Sequence, residues 1–365
     1  MGTIIITVGA ISGITGILAF LLTLAKNTIG NYGEVIININ DDEDHVVDGG
    51  TTLLSALIDE KIFIPSACGG KGSCGYCKVK VNEGAGPILP TELGYLTPED
   101  KKENVRLSCQ VKVKNDFKIE IPEELFNVQE YEGKVSKIVD LTPTIKHLTF
   151  DLKEGEIDFK AGQYVQLRAP EYKGNDEEVY RAYSIASSPS KRDQLELIIG
   201  YVEEGIATTY VHHHLEEDEE VLFNGPYGDF FYQDTDREMV MVAIGTGMAP
   251  ILSILYHMVE NNINRKATFY FGARYLEDLF FVEELQEIEK KLPNFKFIPS
   301  LSRAKEDDNW TGEIGRVTDA IEKYMESGEN KEAYLCGSPR MIDSTVELLK
   351  EKGMQEELIF YDKFE

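Results

Sequence analysis

Residues 68–77 read CGGKGSCGYC, and a further cysteine, Cys109, follows in RLSCQ. The spacing is C-x5-C-x2-C, then 31 residues, then the fourth cysteine. One loop that turns several sulfurs inward, with backbone N–H groups aimed at the centre, suits a negatively charged two-iron cluster. Gly69, Gly70, Gly72 and Gly75 permit that wrapping, because glycine adopts positive φ and tolerates close approach. A structural zinc site is the competing reading. Zinc usually takes paired C-x2–4-C knuckles, and only Cys74 and Cys77 have that spacing. The pattern therefore favours an iron–sulfur module with Cys68, Cys74, Cys77 and Cys109 as the metal ligands.

The flanking sequence supplies a small α+β frame. Residues 34–40 (EVIININ) alternate and predict a strand, followed by an acidic turn over 41–44. Residues 52–60 (TLLSALIDE) are helical in pattern, 78–82 (KVKVN) read as a strand, and 111–121 (VKVKNDFKIEI) alternate again. These fix a first module over 33–127. It resembles a [2Fe–2S] ferredoxin domain, with the four cysteines at the places of that family's ligands. Plant-type ferredoxins have x4 at the first gap, so the x5 here points to a specialised branch.

Residues 128–235 form a second expected module. Six β-rich stretches, from YEGKVSKIV at 131–139 to EVLFNGPYG at 220–228, are broken by Gly and Pro turns, which predicts an antiparallel barrel. Residues 236–365 then alternate strand and helix, starting with MVMVAIG at 239–245, which predicts a parallel, doubly wound sheet.

Both modules carry nucleotide motifs. In RAYS (Arg181–Ser184) alternate strand residues share a face, so a cation and an aromatic ring stand together, and a hydroxyl follows as the next residue. This resembles the flavin signature of the ferredoxin–NAD(P)H reductase superfamily. The resemblance implies that Arg181 binds the FAD pyrophosphate, Tyr183 packs on the flavin ring and Ser184 acts near its N5. In Gly205-Ile206-Ala207-Thr208-Thr209 it implies N–H and hydroxyl donors to the FAD phosphates at a helix start. Gly225-Pro226-Tyr227-Gly228 is similar to the turn that leaves the flavin barrel. His212, His213 and His214 are consecutive, so they cannot share one helical face as metal ligands.

In the third module, Gly245-Thr246-Gly247-Met248-Ala249-Pro250 links an apolar strand to a helix. A glycine loop alone is a weak signal. After a flavin barrel, it matches the place where the superfamily binds its nicotinamide dinucleotide. Cys336-Gly337-Ser338-Pro339 resembles the family's CGxP element, which puts Cys336 beside the nicotinamide; the alternative is a buried core thiol. Arg274 in FGAR is a further expected cofactor-binding residue, one that the resemblance gives to users of either coenzyme, and Phe364 is the aromatic expected to cover the flavin. Ser302-Arg303 suits a 2′-phosphate, whereas the segment 300–315 resembles users of NADH, which is the expected coenzyme.

Nicotinamide gives up two electrons as hydride and a [2Fe–2S] cluster accepts one at a time, so FAD must stand between them. The expected path is NADH to FAD to [2Fe–2S] to an external acceptor.

Residues 2–25 contain no charged side chain, and Lys26 ends the run. As helix they would reach about 36 Å at 1.5 Å per residue, enough for a hydrocarbon core of about 30 Å. No basic residue precedes the run and it exceeds a signal peptide's apolar core, so residues 1–27 are expected to be a retained single-pass anchor. The formal charge is −27, from 37 basic and 64 acidic residues, and no basic patch stands out, which excludes broad nucleic-acid binding. Free thiolates place the soluble modules on the reducing, cytoplasmic side.

Over the whole chain, the order anchor, ferredoxin, FAD, NAD resembles the family of F subunits of sodium-translocating NADH:quinone reductases. That resemblance implies membrane-embedded redox partners. One departure is a shortened stretch in the flavin module, where only 12 residues separate Arg168 from Arg181. Two other functions fit parts of the pattern. One is a reductase component feeding an oxygenase or a corrinoid protein, which would not need the anchor. The other is a non-catalytic iron–sulfur carrier, against which the RAYS, GTGMAP and CGSP motifs stand.

Overall fold

In a computed structural model, residues 12–20, 32–122, 125 and 128–364 are described. Residues 12–20 are helical, with Ile14, Ile17, Leu18 and Phe20 exposed. The rest of the expected anchor lies outside the described residues. Among the described residues, no helix is long and apolar enough to cross a membrane. Two compact units follow from the chain contacts, 1–128 and 129–365.

The first unit is built on a five-stranded sheet in the order β2-β1-β5-β3-β4. Its strands are β1 (Glu34–Ile39), β2 (Glu43–Asp48), β3 (Lys78–Glu83), β4 (Val105–Leu107) and β5 (Phe117–Glu120). Val35, Ile37 and Ile39 of β1 point inward at every second position and meet Leu53, Leu54, Ala56 and Leu57 of α1 (Leu53–Asp59). Each fully buried aliphatic side chain of this kind contributes about 1.5–3 kcal/mol. Thr52 caps α1 through its side chain, which accepts from the Ser55 N–H.

Two expectations change here. The acidic stretch over 41–44 is only partly a turn. Asn40 and Asp41 take positive φ, and β2 then runs back antiparallel to β1 from Glu43. The alternating stretch 111–121 is a strand only over Phe117–Glu120, because its first part, 111–113, leaves the ladder to bond residues 50–53 at the start of α1.

The second unit contains two six-stranded sheets. The antiparallel one has the order β10-β7-β6-β11-β8-β9. It comprises β6 (Gln129–Thr142), β7 (Ile145–Leu152), β8 (Tyr164–Ala169), β9 (Val179–Ser184), β10 (Gln194–Gly200) and β11 (Glu220–Tyr227). A bridge between Ile185 and Leu197 joins its two ends, so the sheet closes on itself as a barrel. The Gly225-Pro226-Tyr227 segment is part of β11 at a register shift rather than a free turn.

The parallel sheet has the order β15-β14-β13-β12-β16-β17. Its strands are β12 (Glu238–Ile244), β13 (Ala267–Ala273), β14 (Phe295–Leu301), β15 (Glu313–Ile314), β16 (Lys331–Gly337) and β17 (Ile359–Lys363). The strand order reverses at β12, whose neighbours are β13 and β16. Ligands of doubly wound sheets sit at the carboxyl ends of the strands beside such a switch. Ala186 and Ile198 of the barrel share one buried cluster with Ile251, Leu252 and Leu255 of the helix Met248–Glu260, and Ser253 Oγ donates to the Ser187 carbonyl at 2.8 Å.

Candidate redox and nucleotide sites

The four cysteines of the first unit come together as two pairs. Cys74 Sγ donates to Cys68 Sγ at 3.3 Å. Cys77 and Cys109 form the second pair through a thiol–thiol hydrogen bond. Within each pair the hydrogen bond favours ionisation of the accepting sulfur and disfavours that of its partner. The bond from Cys74 pulls Cys68 down to about 4, and the bond from Cys77 pulls Cys109 down to about 7. Cys74 and Cys77 are raised in return. Among the described residues, no three His, Cys, Asp or Glu side chains gather around one point to hold a single metal ion. Two pairs of sulfurs, each fit for one iron, match a two-iron group better than one tetrahedral zinc.

Local backbone explains why the loop reaches this shape. Gly69, Gly70, Gly72 and Gly75 all have positive φ. A Cβ on Gly72 would lie 2.4 Å from the Gln110 side-chain amide, which would have to swing away, so glycine here, already favoured by its positive φ, also leaves Gln110 in place. Gln110 Nε2 donates to Cys109 Sγ at 3.4 Å, a contact with no signature in sequence beyond adjacency to the cysteine. Cys109 is fixed by its neighbours, since Ser108 donates to the Cys77 carbonyl through both its N–H (2.8 Å) and its hydroxyl (3.0 Å).

On β9, Arg181 and Tyr183 lie on one side of the strand and Ser184 is buried at its end. Among the described residues Arg181 has no carboxylate partner; Nη1 donates only to the Tyr180 carbonyl. Burial raises the Tyr183 phenol, and Arg181 offsets part of that rise. Ser184 Oγ is buried without any hydrogen-bond partner. A buried hydroxyl left bare costs about 1–3 kcal/mol. A cation without a counter-charge, an aromatic face and an orphaned hydroxyl fit a flavin dinucleotide.

The segment Gly205–Thr209 opens the helix Ile206–His213, with Gly205 as its N-cap. Thr209 N–H makes the first intrahelical bond, to Gly205, so the N–H groups of Ile206, Ala207 and Thr208 are available. The Thr208 hydroxyl is already engaged by Val202 and Gly205, so it locks its own loop. Half-buried Thr209 carries the remaining hydroxyl. His212 bonds the Ile199 carbonyl and, like His213, sets its ring against Tyr201, while the His214 ring lies 4.5 Å from that of Tyr172, so the three do not converge on one point.

At the switch of the parallel sheet, Gly245–Gly247 form a tight 3-10 turn and Met248–Glu260 continue as helix, with Pro250 buried. A Cβ on Gly247 would lie 2.2 Å from the Cys336 carbonyl oxygen, so the glycine loop and the CGSP strand end touch backbone to backbone. Cys336 is fully buried, and burial pushes its thiol well above the ordinary range. Its strand neighbour in β17 is Asp362, whose carboxyl is pushed up to about 6 by burial. Nothing in YDKFE marks Asp362, which reads as an ordinary charged strand position. Phe364 N–H donates to the Gly337 carbonyl at 2.9 Å, so the aromatic stands beside the same strand end. Arg274 follows β13 and is exposed.

The sequence matches the 2Fe-2S iron-sulfur cluster binding domain over residues 36–114, the oxidoreductase FAD-binding domain over 132–232 and the oxidoreductase NAD-binding domain over 241–347. These matches assign a [2Fe–2S] cluster, FAD and a nicotinamide dinucleotide to the chain. The F subunit of the Na(+)-translocating NADH-quinone reductase of Idiomarina loihiensis is 36% identical, with 100% of both chains covered. That of Neisseria meningitidis is 36% identical over 95% of this chain and 96% of its own. The chain belongs to this family of F subunits.

The alignment with the Idiomarina member of the family spans 407 positions against 365 residues here, so that relative carries residues without a counterpart. Among solved structures, an Amycolatopsis cytochrome P450 reductase is 27% identical, with a TM-score of 0.73 over 90% of this chain and 98% of that one. The ferredoxin reductase of a carbazole 1,9a-dioxygenase shares the fold at a TM-score of 0.70, 21% identity, and 91% and 99% coverage.

Proposed function

We propose that this protein is the electron-input component of a respiratory NADH:quinone reductase, oxidising NADH and passing its electrons through FAD and the [2Fe–2S] cluster to membrane-embedded partner subunits. Membership of the F-type family over the whole chain carries this reading. Bound FAD supplies the exchange between hydride and single electrons. The chain itself does the placing. Arg181 and the N–H groups of Ile206, Ala207 and Thr208 hold the FAD phosphates, with Thr209 beside them. Tyr183 supports the ring and Ser184 gives its bare hydroxyl to it. Gly205 shapes the turn. Gly245, Thr246, Gly247 and Pro250 shape the dinucleotide loop, Cys336, Gly337 and Phe364 bound the nicotinamide side, and Arg274 meets the same dinucleotide farther along, where β13 and β14 end. Cys68, Cys74, Cys77 and Cys109 hold the irons in two pairs.

The modules divide at 127/128 and 235/236. Residues 1–27 anchor the chain in the cell membrane as one apolar span, with the soluble modules in the cytoplasm. The likeness to a cytochrome P450 reductase supports a second reading, a reductase component serving a soluble oxygenase. The uncharged run over 2–25 favours the membrane reading.

The test is Cys74→Ser in the full chain loaded with FAD. Cluster reduction should be lost while NADH still reduces an artificial two-electron acceptor. Loss of both activities from a folded, FAD-containing variant would overturn the order. Co-purification from solubilised membranes with a soluble oxygenase, rather than multi-span subunits, would overturn the assignment of partner.

A further inference from the structure

The carboxyl edge of β13 and β14 carries a group of cations that the electron path leaves unused. Arg274 follows β13, and Ser302, Arg303 and Lys305 follow β14. The two strand ends are tied together, with Ser302 N–H donating to the Ala273 carbonyl at 3.0 Å and Arg303 N–H to the Arg274 carbonyl at 2.8 Å. Tyr275 stands among them. Arg303 Nη1 donates to its hydroxyl at 3.3 Å, and Lys305 Nζ lies 5.2 Å from its ring centroid.

Among the described residues, none of Arg274, Arg303 and Lys305 forms an ion pair within 4.0 Å. Nearby acids are turned to other work. Asp278 accepts from the Tyr275 N–H and Asp308 from the Lys305 N–H. Glu277, Glu306 and Asp307 share these loops without closing on the cations. Three unpaired cations are unexpected in a chain with 64 acidic and 37 basic residues. Two residues before Ser302, the Ser300 hydroxyl is buried with no partner.

Doubly wound sheets select their dinucleotide at this kind of edge. A carboxylate there bonds the ribose diol of NAD, whereas an arginine accommodates the 2′-phosphate of NADP. Here the residue is Arg303, next to a hydroxyl and two more cations, a donor set suited to a phosphate dianion. We propose that this edge is a 2′-phosphate subsite and that the chain oxidises NADPH as well as NADH. The proposal rests on the reading of the parallel sheet as the dinucleotide domain. NADPH would give one hydride to FAD and leave as NADP+; only recognition of the ribose differs.

The FAD-loaded full chain is titrated with 2′,5′-ADP and with 5′-ADP by calorimetry, and flavin bleaching is followed with NADPH and NADH. The subsite predicts that 2′,5′-ADP binds about tenfold tighter or better. In Arg303→Glu, an exposed position expected to fold, the ratio of kcat/KM for NADPH over NADH should fall by about tenfold or more. Equal affinity for the two nucleotides, or an unchanged ratio in the variant, overturns the proposal. Failure of both coenzymes to bleach the flavin would instead sink the functional reading, while the calorimetric comparison still decides the subsite.

Discussion

Glu92 and Arg106 form a forked ion pair inside the first unit, with Nε to Oε1 at 2.9 Å and Nη2 to Oε2 at 2.6 Å. Both side chains are buried, at 0% and 3% exposure. The carboxylate also accepts from the N–H groups of Leu89 and Leu107, and the guanidinium donates to the carbonyls of Ala85, Gly86 and Pro87. Burial alone would raise the Glu92 carboxyl, but Arg106 and the two N–H donors outweigh it and hold it below the usual range. The pair pins the loop after β3 to β4, two residues ahead of Ser108 and its bonds to Cys77.

Removing one partner of such a pair strands the other charge. Arg106→Met should therefore cost about 3–5 kcal/mol. Denaturant unfolding of the first unit, read by the visible absorption of the cluster, would show the midpoint fall. An unchanged midpoint would mean that the pair contributes only shape.

Ser184→Ala separates fold from function. The orphaned hydroxyl burdens the protein without flavin, so the variant should be as stable as the parent or slightly more so when FAD is absent. FAD affinity or the rate of flavin bleaching by NADH should fall. A loss of stability without FAD would show that the hydroxyl has a protein partner after all.

Gly247→Val should close the gap between the glycine loop and β16, since even a Cβ would meet the Cys336 carbonyl. The variant should bind FAD, which sits on other strands, and should respond to dithionite but far more weakly to NADH. Equal bleaching by NADH in parent and variant would show that the loop gives way without harm.

Asp362 gives a pH dependence. Its carboxyl is raised from the ordinary 3.8 to about 6 by burial, so the folded state binds the proton more tightly than the unfolded one. Its cost to stability is absent below about pH 4, grows as pH rises through 6 and is complete above that. Asp362→Asn should thus gain stability over the parent at pH 8 and little at pH 4. Thermal unfolding at both values tests this, and an equal gain at each would refute it.

Strands that bury one face were legible from periodicity, as with Val35, Ile37 and Ile39 in β1, and β12, buried on both faces, was legible from its unbroken apolar run. The barrel and parallel order followed from composition and alternation. What escaped was set by non-local contact. β4 has three residues, is defined by its pairing with β3, and is held by Arg106 reaching Glu92, 14 positions earlier. β2 is mostly polar and exposed, so only its pairing with β1 defines it. For the expected nucleotide sites the motifs singled out Arg181, Ser184 and Gly247. They could not show that Thr208 spends its hydroxyl on its own loop, or that Asp362 lies beside Cys336, because both depend on which atoms the fold brings within bonding distance.

The pairing of the cysteine sulfurs bears on how the protein survives damage. At 3.3 Å, the Cys68 and Cys74 sulfurs need to close by little more than 1 Å to reach a disulfide bond. A module stripped of iron in air would lock itself at Cys68 and Cys74, since that metal-gripping pair is also a latent crosslink. Reloading would then wait on a thiol reductant. A thiol reductant would thus be a repair supply for this electron carrier as well as a backdrop to it.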